Sequence, residues 1–262
     1  MNSNIEDYVG KEKGRRCLII AGGSSGSDWG WVYEEVQPDF LLGLNAVKNS
    51  IPNLNYWLCH ENIDKYLNRY RNNPDDEEAR LYIEGWQNSD SNTRPGVCFI
   101  NRRILNNFTD PEYIVPIRSA VYRKGLFRFR KYGRGLLCGS PMTHTEGVDG
   151  NVHKTMPVVG TALSRGIHLA GILGASEIHT IGADLCFRGE SDHWYDFPAY
   201  NVETWRTEKM FVEYKGVRTQ WIWIETAQFL KTLEPQMAAE GITWRDWSNG
   251  LLSIEGLKCA QP

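Results

Sequence analysis

The stretch that decides the fold reads Cys17-Leu18-Ile19-Ile20-Ala21 and continues directly into Gly22-Gly23-Ser24-Ser25-Gly26-Ser27. A short, unbroken apolar run between Arg15-Arg16 and a glycine-serine loop is typical of a strand that is buried on both faces. Strands of that kind occur in parallel sheets with helices on either side. The stretch therefore predicts an α/β sheet with a polar loop at the carboxyl end of its first strand.

Further strands are predicted from apolar runs at residues 40–46, 55–61 and 97–101. Residues 161–174 carry the clearest helical pattern, with Thr161 as a candidate N-cap and Gly174 as the C-terminal stop. A predicted strand over residues 177–184 follows at once. Because a helix leads straight into a strand here, we predict a Rossmann-like, doubly wound and mostly parallel sheet.

The whole chain, 1–262, is predicted to form a single nucleotide-binding α/β domain, with residues 113–145 and 185–220 as its elaborations. Helices are expected over 63–72, 77–88 and 221–241, the last broken or kinked near Pro235, with a final strand over 242–248. Residues 113–145, the basic arm, contain no acidic residue, and seven cations alternate with aromatic residues. Residues 185–220, the lid, lack periodicity, and a loop of that length is usually functional.

Composition indicates a globular protein: 262 residues, a net charge of −3, 41% apolar and 23% charged positions. No apolar run is long enough for a membrane helix and the first residues are polar, so a cytoplasmic location is predicted. The six cysteines form no CxxC pair and are expected to be reduced and structural. Ten Trp and twelve Tyr indicate either a large aromatic core or a surface on which flat ligands or sugar rings stack.

Candidate binding residues follow the predicted strands. Backbone amides and hydroxyls of the glycine-serine loop suit a phosphate, although the loop fits neither GxGxxG nor GxxxxGK[ST] and could be a plain surface turn. Asn45 could read a base or ribose or only shape a turn, and Asp184 could instead hold the loop that follows it by accepting backbone N–H bonds. The predicted nucleotide-binding set consists of Gly22, Gly23, Ser24, Ser25, Asn45, Glu61, Thr161 and Asp184.

Candidate catalytic residues lie in the lid, where Glu190, Asp192 and His193 stand beside Trp194 and Tyr195. A histidine with a pKa near neutrality can accept the proton of an acceptor hydroxyl, so His193 is the predicted general base. An inert loop histidine and a metal site made of Asp184, Asp192 and His193 are the alternatives.

Several separated blocks resemble one superfamily. They are the glycine-serine loop, the strand end Leu44-Asn45, the stretch 160–185 that ends in Ile181-Gly182-Ala183-Asp184, and the stretch 211–219. The chain resembles the superfamily of the motility-accessory-factor glycosyltransferases, the Campylobacter-type sialyltransferases and the archaeal hydroxymethylpterin pyrophosphokinases. The resemblance implies that the loop residues and Asn45 bind the nucleotide of an activated donor, CMP-linked in the sialyltransferase branch, without a metal.

The sequence therefore predicts a glycosyltransferase with a nucleotide-sugar as co-substrate, CMP-sugar-like, and a hydroxyl acceptor on a glycan, a small molecule or a nucleic acid. One alternative is a magnesium-dependent pyrophosphokinase of the pterin type, for which Glu61 would be the metal ligand. The other is a protein that binds or modifies nucleic acid through its basic arm.

Overall fold

The structure is a computed structural model, which describes residues 8–45, 47, 50–59, 69–76, 80, 97–101, 114–117, 144–146, 152–154, 161–187 and 211–257. Its strands are β1 (Arg16–Ile20), β2 (Phe40–Leu44), β3 (Tyr56–Cys59), β4 (Val97–Asn101), β5 (Ile114–Ile117), β6 (His144–Glu146), β7 (Val152–Lys154), β8 (Glu177–Ile181), β9 (Val212–Tyr214), β10 (Val217–Thr219) and β11 (Thr243–Asp246). The helices are α1 (Trp29–Val36), α2 (Ala162–Leu173), α3 (Trp221–Ala239) and the short α4 (Leu251–Ile254).

Seven strands form one sheet in the order β11-β8-β1-β2-β3-β4-β5, and every pair in it is parallel. Two antiparallel hairpins, β6–β7 and β9–β10, lie apart from it. The predicted parallel α/β fold is confirmed. The first predicted strand begins and ends one residue earlier than the apolar run that indicated it.

The sheet has a buried core on each face. In β1, Cys17 and Ile19 belong to the core that α2 and α3 cover, whereas Leu18 and Ile20 belong to the core that α1 covers. All four side chains are fully buried. Since successive side chains of a strand point to opposite faces, helices on both sides explain why the run is apolar without alternation. The sheet is doubly wound, as predicted.

The strand order creates a switch point between β1 and β8. The chain builds the sheet outward from β1 to β5, then returns through α2 to place β8 on the other side of β1. At such a point the helices that are connected to the two strands lie on opposite faces of the sheet, and open α/β sheets bind ligands there, outside the carboxyl ends of the strands. The topology thus places a candidate site beside the glycine-serine loop.

One alternative of a sequence prediction is wrong. A break or a kink was expected near Pro235, and the helix α3 runs through Pro235 without a break, while a kink there stays a prediction. A proline in a helix deprives the carbonyl four residues earlier of its donor. Here Pro235 and Lys231 are both exposed, so water can solvate that carbonyl and the helix continues.

Other elements had no sequence prediction. The helix α1 was not anticipated, β5 lies at the start of the basic arm, and the β9–β10 hairpin lies in the lid. Of the predicted helix 63–72, the described residues 69–72 are helical. Lid residues 188–210 and arm residues 118–143 lie outside the described part of the chain. Within the described ranges, no helix is both long and apolar enough to span a bilayer.

Candidate functional site

A cleft opens at the carboxyl ends of β1 and β8, at the switch point of the sheet. The described residues that line it are Ala21, Gly22, Gly23, Leu44, Asn45, Thr161, Ala162, Leu163, Gly182, Ala183, Leu185, Cys186 and Trp223. They come from the loops after β1, β2 and β8 and from the first turns of α2 and α3. Four members of the predicted nucleotide-binding set, Gly22, Gly23, Asn45 and Thr161, thus lie on one cleft.

Two glycines let the loops after β1 and β8 pack directly against each other. The Gly23 N–H donates to the Gly182 carbonyl at 2.7 Å. A Cβ at Gly23 would overlap the Asp184 carboxylate and approach that carbonyl to 2.6 Å. Gly182 has φ +73°, and a Cβ there would overlap the Ala21 carbonyl. Both positions therefore require glycine, because the two backbones meet there without room for a side chain.

Asp184 fixes the glycine-serine loop. Its side chain is buried, and Oδ2 accepts hydrogen bonds from the Ser25 N–H and the Ser25 hydroxyl, both at 2.9 Å. The Ser25 Oγ in turn accepts the Gly182 N–H at 3.1 Å. The Asp184 side chain thus holds the glycine-serine loop through Ser25. The role considered for it, which was to hold the loop that follows it in the chain, stays a prediction. Direct contact of Asp184 or Ser25 with a ligand stays a prediction.

A second buried carboxylate, that of Asp246, supports the loop after β8. Asp246 Oδ1 accepts the hydroxyls of Thr180 at 2.7 Å and Ser248 at 2.9 Å. The Ser248 Oγ accepts the Ala183 N–H at 2.7 Å. Burial raises the pKa of Asp246 to about 7, with a further contribution from the nearby charge of Asp184. The loop after β8 is therefore held from both sides before any ligand arrives.

Some hydrogen-bond donors of the glycine-serine loop have no partner within the described residues; Gly22 lines the cleft, whereas Ser24 lies next to the lining residue Gly23. The amides of Gly23, Ser25 and Gly26 are used internally, whereas those of Gly22 and Ser24 show no acceptor there. The Ser24 hydroxyl is buried and also lacks a partner among the residues that the structure describes. Since buried polar groups are nearly always hydrogen-bonded, these donors are available to an acceptor such as a ligand or a water molecule.

Thr161 adds a donor from the start of α2. Its backbone is extended, as an N-cap requires, but its side chain makes no capping hydrogen bond. The Thr161 Oγ1 is buried and has no partner in the part of the chain that the structure covers. The first N–H groups of a helix also lack intrahelical acceptors and carry partial positive charge. An anion near Thr161 would satisfy both the hydroxyl and the helix terminus.

Asn45 lies where β2 ends. It has φ +52°, a left-handed conformation that asparagine tolerates, and its carbonyl accepts the Trp57 indole N–H at 2.7 Å. The structure therefore shows the turn-shaping role considered for Asn45, and it also places the residue on the cleft. Recognition of a base or ribose by Asn45 stays a prediction.

Among the described residues that line the cleft, Trp223 is the aromatic one, and the sequence did not predict its place there. Trp223, in the first turn of α3, lines the cleft. The ring centroids of Trp223 and Phe187 lie 4.8 Å apart, and those of Phe187 and Phe211 lie 4.7 Å apart at 85°. The Arg218 guanidinium lies 4.2 Å from the Phe211 centroid. The high tryptophan content was the one sequence signal of such a surface.

The hairpin β9–β10 is tied to the cleft wall by its own hydrogen bonds. The Phe187 N–H donates to the Arg218 carbonyl at 2.8 Å, and the Thr219 hydroxyl donates to the Leu185 carbonyl at 2.6 Å. Leu185 itself lines the cleft. The described ends of the lid therefore form part of the cleft wall.

The remaining predicted site residues cannot be placed. Glu61, Glu190, Asp192 and His193 lie outside the described residues, so their roles stay predictions. Among the described residues, no three His, Cys, Asp or Glu side chains come together as a metal-binding group. The metal alternatives that involve Glu61, Asp192 or His193 are untested by this finding.

Comparison with known proteins gives one result. No family model and no curated protein matches the chain. Among solved structures, it is similar to the MAf glycosyltransferase from Magnetospirillum magneticum AMB-1, with 13% identity and a TM-score of 0.49. The match covers 95% of this chain but 37% of that protein, so this chain spans little more than a third of its length.

Proposed function

We propose that the protein is a glycosyltransferase that binds a nucleotide-activated sugar in the cleft at the switch point. The observation that carries the proposal is the pair of buried hydroxyls, Ser24 and Thr161, without partners in the described chain. They lie with free loop amides and a helix N-terminus at the edge of the sheet where ligands bind. The motif blocks that resemble the glycosyltransferase superfamily indicate the chemistry, and the geometry supports a phosphate ester as its leaving group.

The cleft suits a phosphate held without a metal. None of the described residues that line it carries a charged side chain, so neutral N–H and O–H donors and the dipole of α2 would hold the anion. The loop is already fixed by Asp184, so these donors need little rearrangement to meet the phosphate. Donors fixed in advance stabilise the charge that develops when the nucleotide leaves.

The reaction we propose is transfer to a hydroxyl. The acceptor oxygen attacks the anomeric carbon, the bond between that carbon and the phosphate oxygen breaks, and its electron pair leaves with the nucleotide. The acceptor proton passes to a general base, for which we propose His193 assisted by Asp192 and Glu190. We further propose a CMP-linked donor, an acceptor on a glycan, small molecule or nucleic acid, and action in the cytoplasm.

The test is nucleotide release by the purified full chain from CMP-, UDP- and GDP-linked sugars, with a panel of acceptors and with or without EDTA. We expect CMP release that EDTA leaves unchanged and that Ser24→Ala or Thr161→Ala lowers. Ser50→Ala is the control, because Ser50 is exposed and does not line the cleft. If the chain neither binds nor cleaves any donor of the panel, the proposal is refuted. Turnover of only another donor class would overturn the CMP assignment.

A further inference from the structure

Trp223 is a candidate ligand contact that the superfamily resemblance does not supply. It lines the cleft from the first turn of α3, while its neighbour Trp221 is 67% exposed and does not line it. One side of the Trp223 ring packs on Phe187 with a tilt of 37° between the rings. An aromatic ring held in this way offers its remaining surface to the cleft at little entropic cost.

Phe187, which supports Trp223, has packing partners of its own. Phe211 packs edge-on against Phe187, and the Arg218 guanidinium lies over Phe211 at 4.2 Å and 5.8 Å from the Phe187 centroid. Backbone hydrogen bonding between Phe187 and Arg218 fixes the same segment. Trp223 is therefore the exposed end of a stack of aromatic and guanidinium groups.

The chemistry of the wall selects the kind of ring that would bind there. Apart from Asn45 and Thr161, the described residues that line the cleft with Trp223 are glycines or carry aliphatic or thiol side chains. A sugar ring would leave most of its hydroxyls without partners on such a surface, whereas a nucleobase needs an apolar or aromatic surface for its face. Of the proposed phosphate donors, Thr161 lines the same cleft, and Ser24 follows the lining residue Gly23 in the chain.

We propose that the nucleobase of the bound nucleotide stacks on the Trp223 indole while its phosphate meets the glycine-serine loop and the start of α2. This inference rests on the proposed function, since it assumes that the cleft binds a nucleotide. Stacking is tolerant of base identity because every base has a π-face. Trp223 therefore supplies affinity for nucleotides in general, and the choice of base is left to polar groups.

The experiment compares dissociation constants of CMP, UMP, AMP and GMP with that of ribose 5-phosphate, which has no base, by titration calorimetry on the full chain. Loss of one base–aromatic stack is worth about 10- to 100-fold in Kd. We expect Trp223→Ala to weaken nucleotide binding by about that factor and to leave the Kd of ribose 5-phosphate within about twofold. Trp221→Ala, two residues away on the same helix, is the control and should change neither.

Trp223→Phe keeps the test decisive if the alanine variant does not fold. It retains an aromatic face, so nucleotide affinity should fall by no more than about fivefold. The quenching of tryptophan fluorescence that a nucleotide causes in the wild type should shrink, because the stacked indole is gone.

The two proposals fail in different ways. If neither the nucleotides nor ribose 5-phosphate bind the wild type, the proposed function fails. If the wild type binds ribose 5-phosphate as tightly as nucleotides, or Trp223→Ala weakens both equally, the phosphate site stands and stacking on Trp223 is refuted. Unchanged quenching in Trp223→Phe also refutes it.

Discussion

Replacement of Gly23 by alanine tests whether the two loops at the cleft really meet backbone to backbone. The new Cβ would overlap the Asp184 carboxylate and lie 2.6 Å from the Gly182 carbonyl oxygen. Neither atom can withdraw easily, because Asp184 is bonded to Ser25 and the Gly182 carbonyl accepts the Gly23 N–H. Overpacking costs about 1–3 kcal/mol, and the weakened hydrogen bond costs about 1 kcal/mol more.

We therefore expect Gly23→Ala to lower the free energy of unfolding by about 2–4 kcal/mol. The assay is urea denaturation followed by circular dichroism, in which the midpoint should fall while the slope m stays the same. The matched control is Gly30→Ala in α1, where a Cβ would meet nothing within 4 Å. That variant should be as stable as the wild type or gain up to about 1 kcal/mol, since alanine favours helix over glycine.

The reasoning fails if Gly23→Ala unfolds at the wild-type midpoint, because the loops would then be further apart than described. It also fails if Gly30→Ala loses as much stability, because the cost would then not come from the collision. If the Gly23→Ala variant is stable and also binds nucleotide normally, close packing of the two loops is not required for the site.

Three further predictions concern hydroxyls and buried titratable groups. Ser24→Ala and Thr161→Ala should each weaken CMP binding by about 10- to 100-fold in calorimetry, the loss of one hydrogen bond to a charged group. Their melting temperatures should not fall, because the hydroxyls have no partner in the described chain; a drop would contradict this. The pKa of Asp246 is raised from 3.8 to about 7, so its contribution to the free energy of unfolding is lost as pH rises from about 4 to 7. The free energy of unfolding should fall by up to about 1.4 kcal/mol per pH unit over this range in the wild type, and Asp246→Asn should remove this dependence. Burial lowers the pKa of His168 from 6.5 to about 4, so the free energy of unfolding falls as pH falls through that window. His168→Met should reduce this loss in urea titrations at pH 4–7. The part of the loss that comes from His179, whose pKa burial also lowers, should remain. Unchanged pH profiles in the last two variants would refute these assignments.

Local sequence patterns determined the frame of the protein. The apolar run at residues 17–21 predicted β1, because a strand without polar alternation must be covered on both faces. The segment from Thr161 to the end of β8 predicted a helix followed by a parallel strand, and α2 begins and ends within one residue of that prediction. The position of the glycine-serine loop at the carboxyl end of β1 followed from chain order alone.

Elements with weak local signals were missed. The strand β5 and the hairpin β9–β10 have four residues or fewer in each strand, which is too short to show a periodicity. The predicted break at Pro235 failed for a related reason. A local rule gives the energetic cost of a proline in a helix. Whether water can solvate the carbonyl that loses its donor depends on which side of the helix faces solvent.

Tertiary structure alone decided the site. Asp184 and Ser25 are 159 residues apart in the chain. No local pattern indicates that the Asp184 carboxylate accepts hydrogen bonds from the Ser25 amide and hydroxyl. The same holds for Trp223, which reaches the cleft because α3 begins at its edge. Thr161 was in the predicted set, but only the strand order brings it to the same cleft as Trp223. Strand order is set by how the whole set of apolar faces is buried together, a global property that no single segment of the sequence contains.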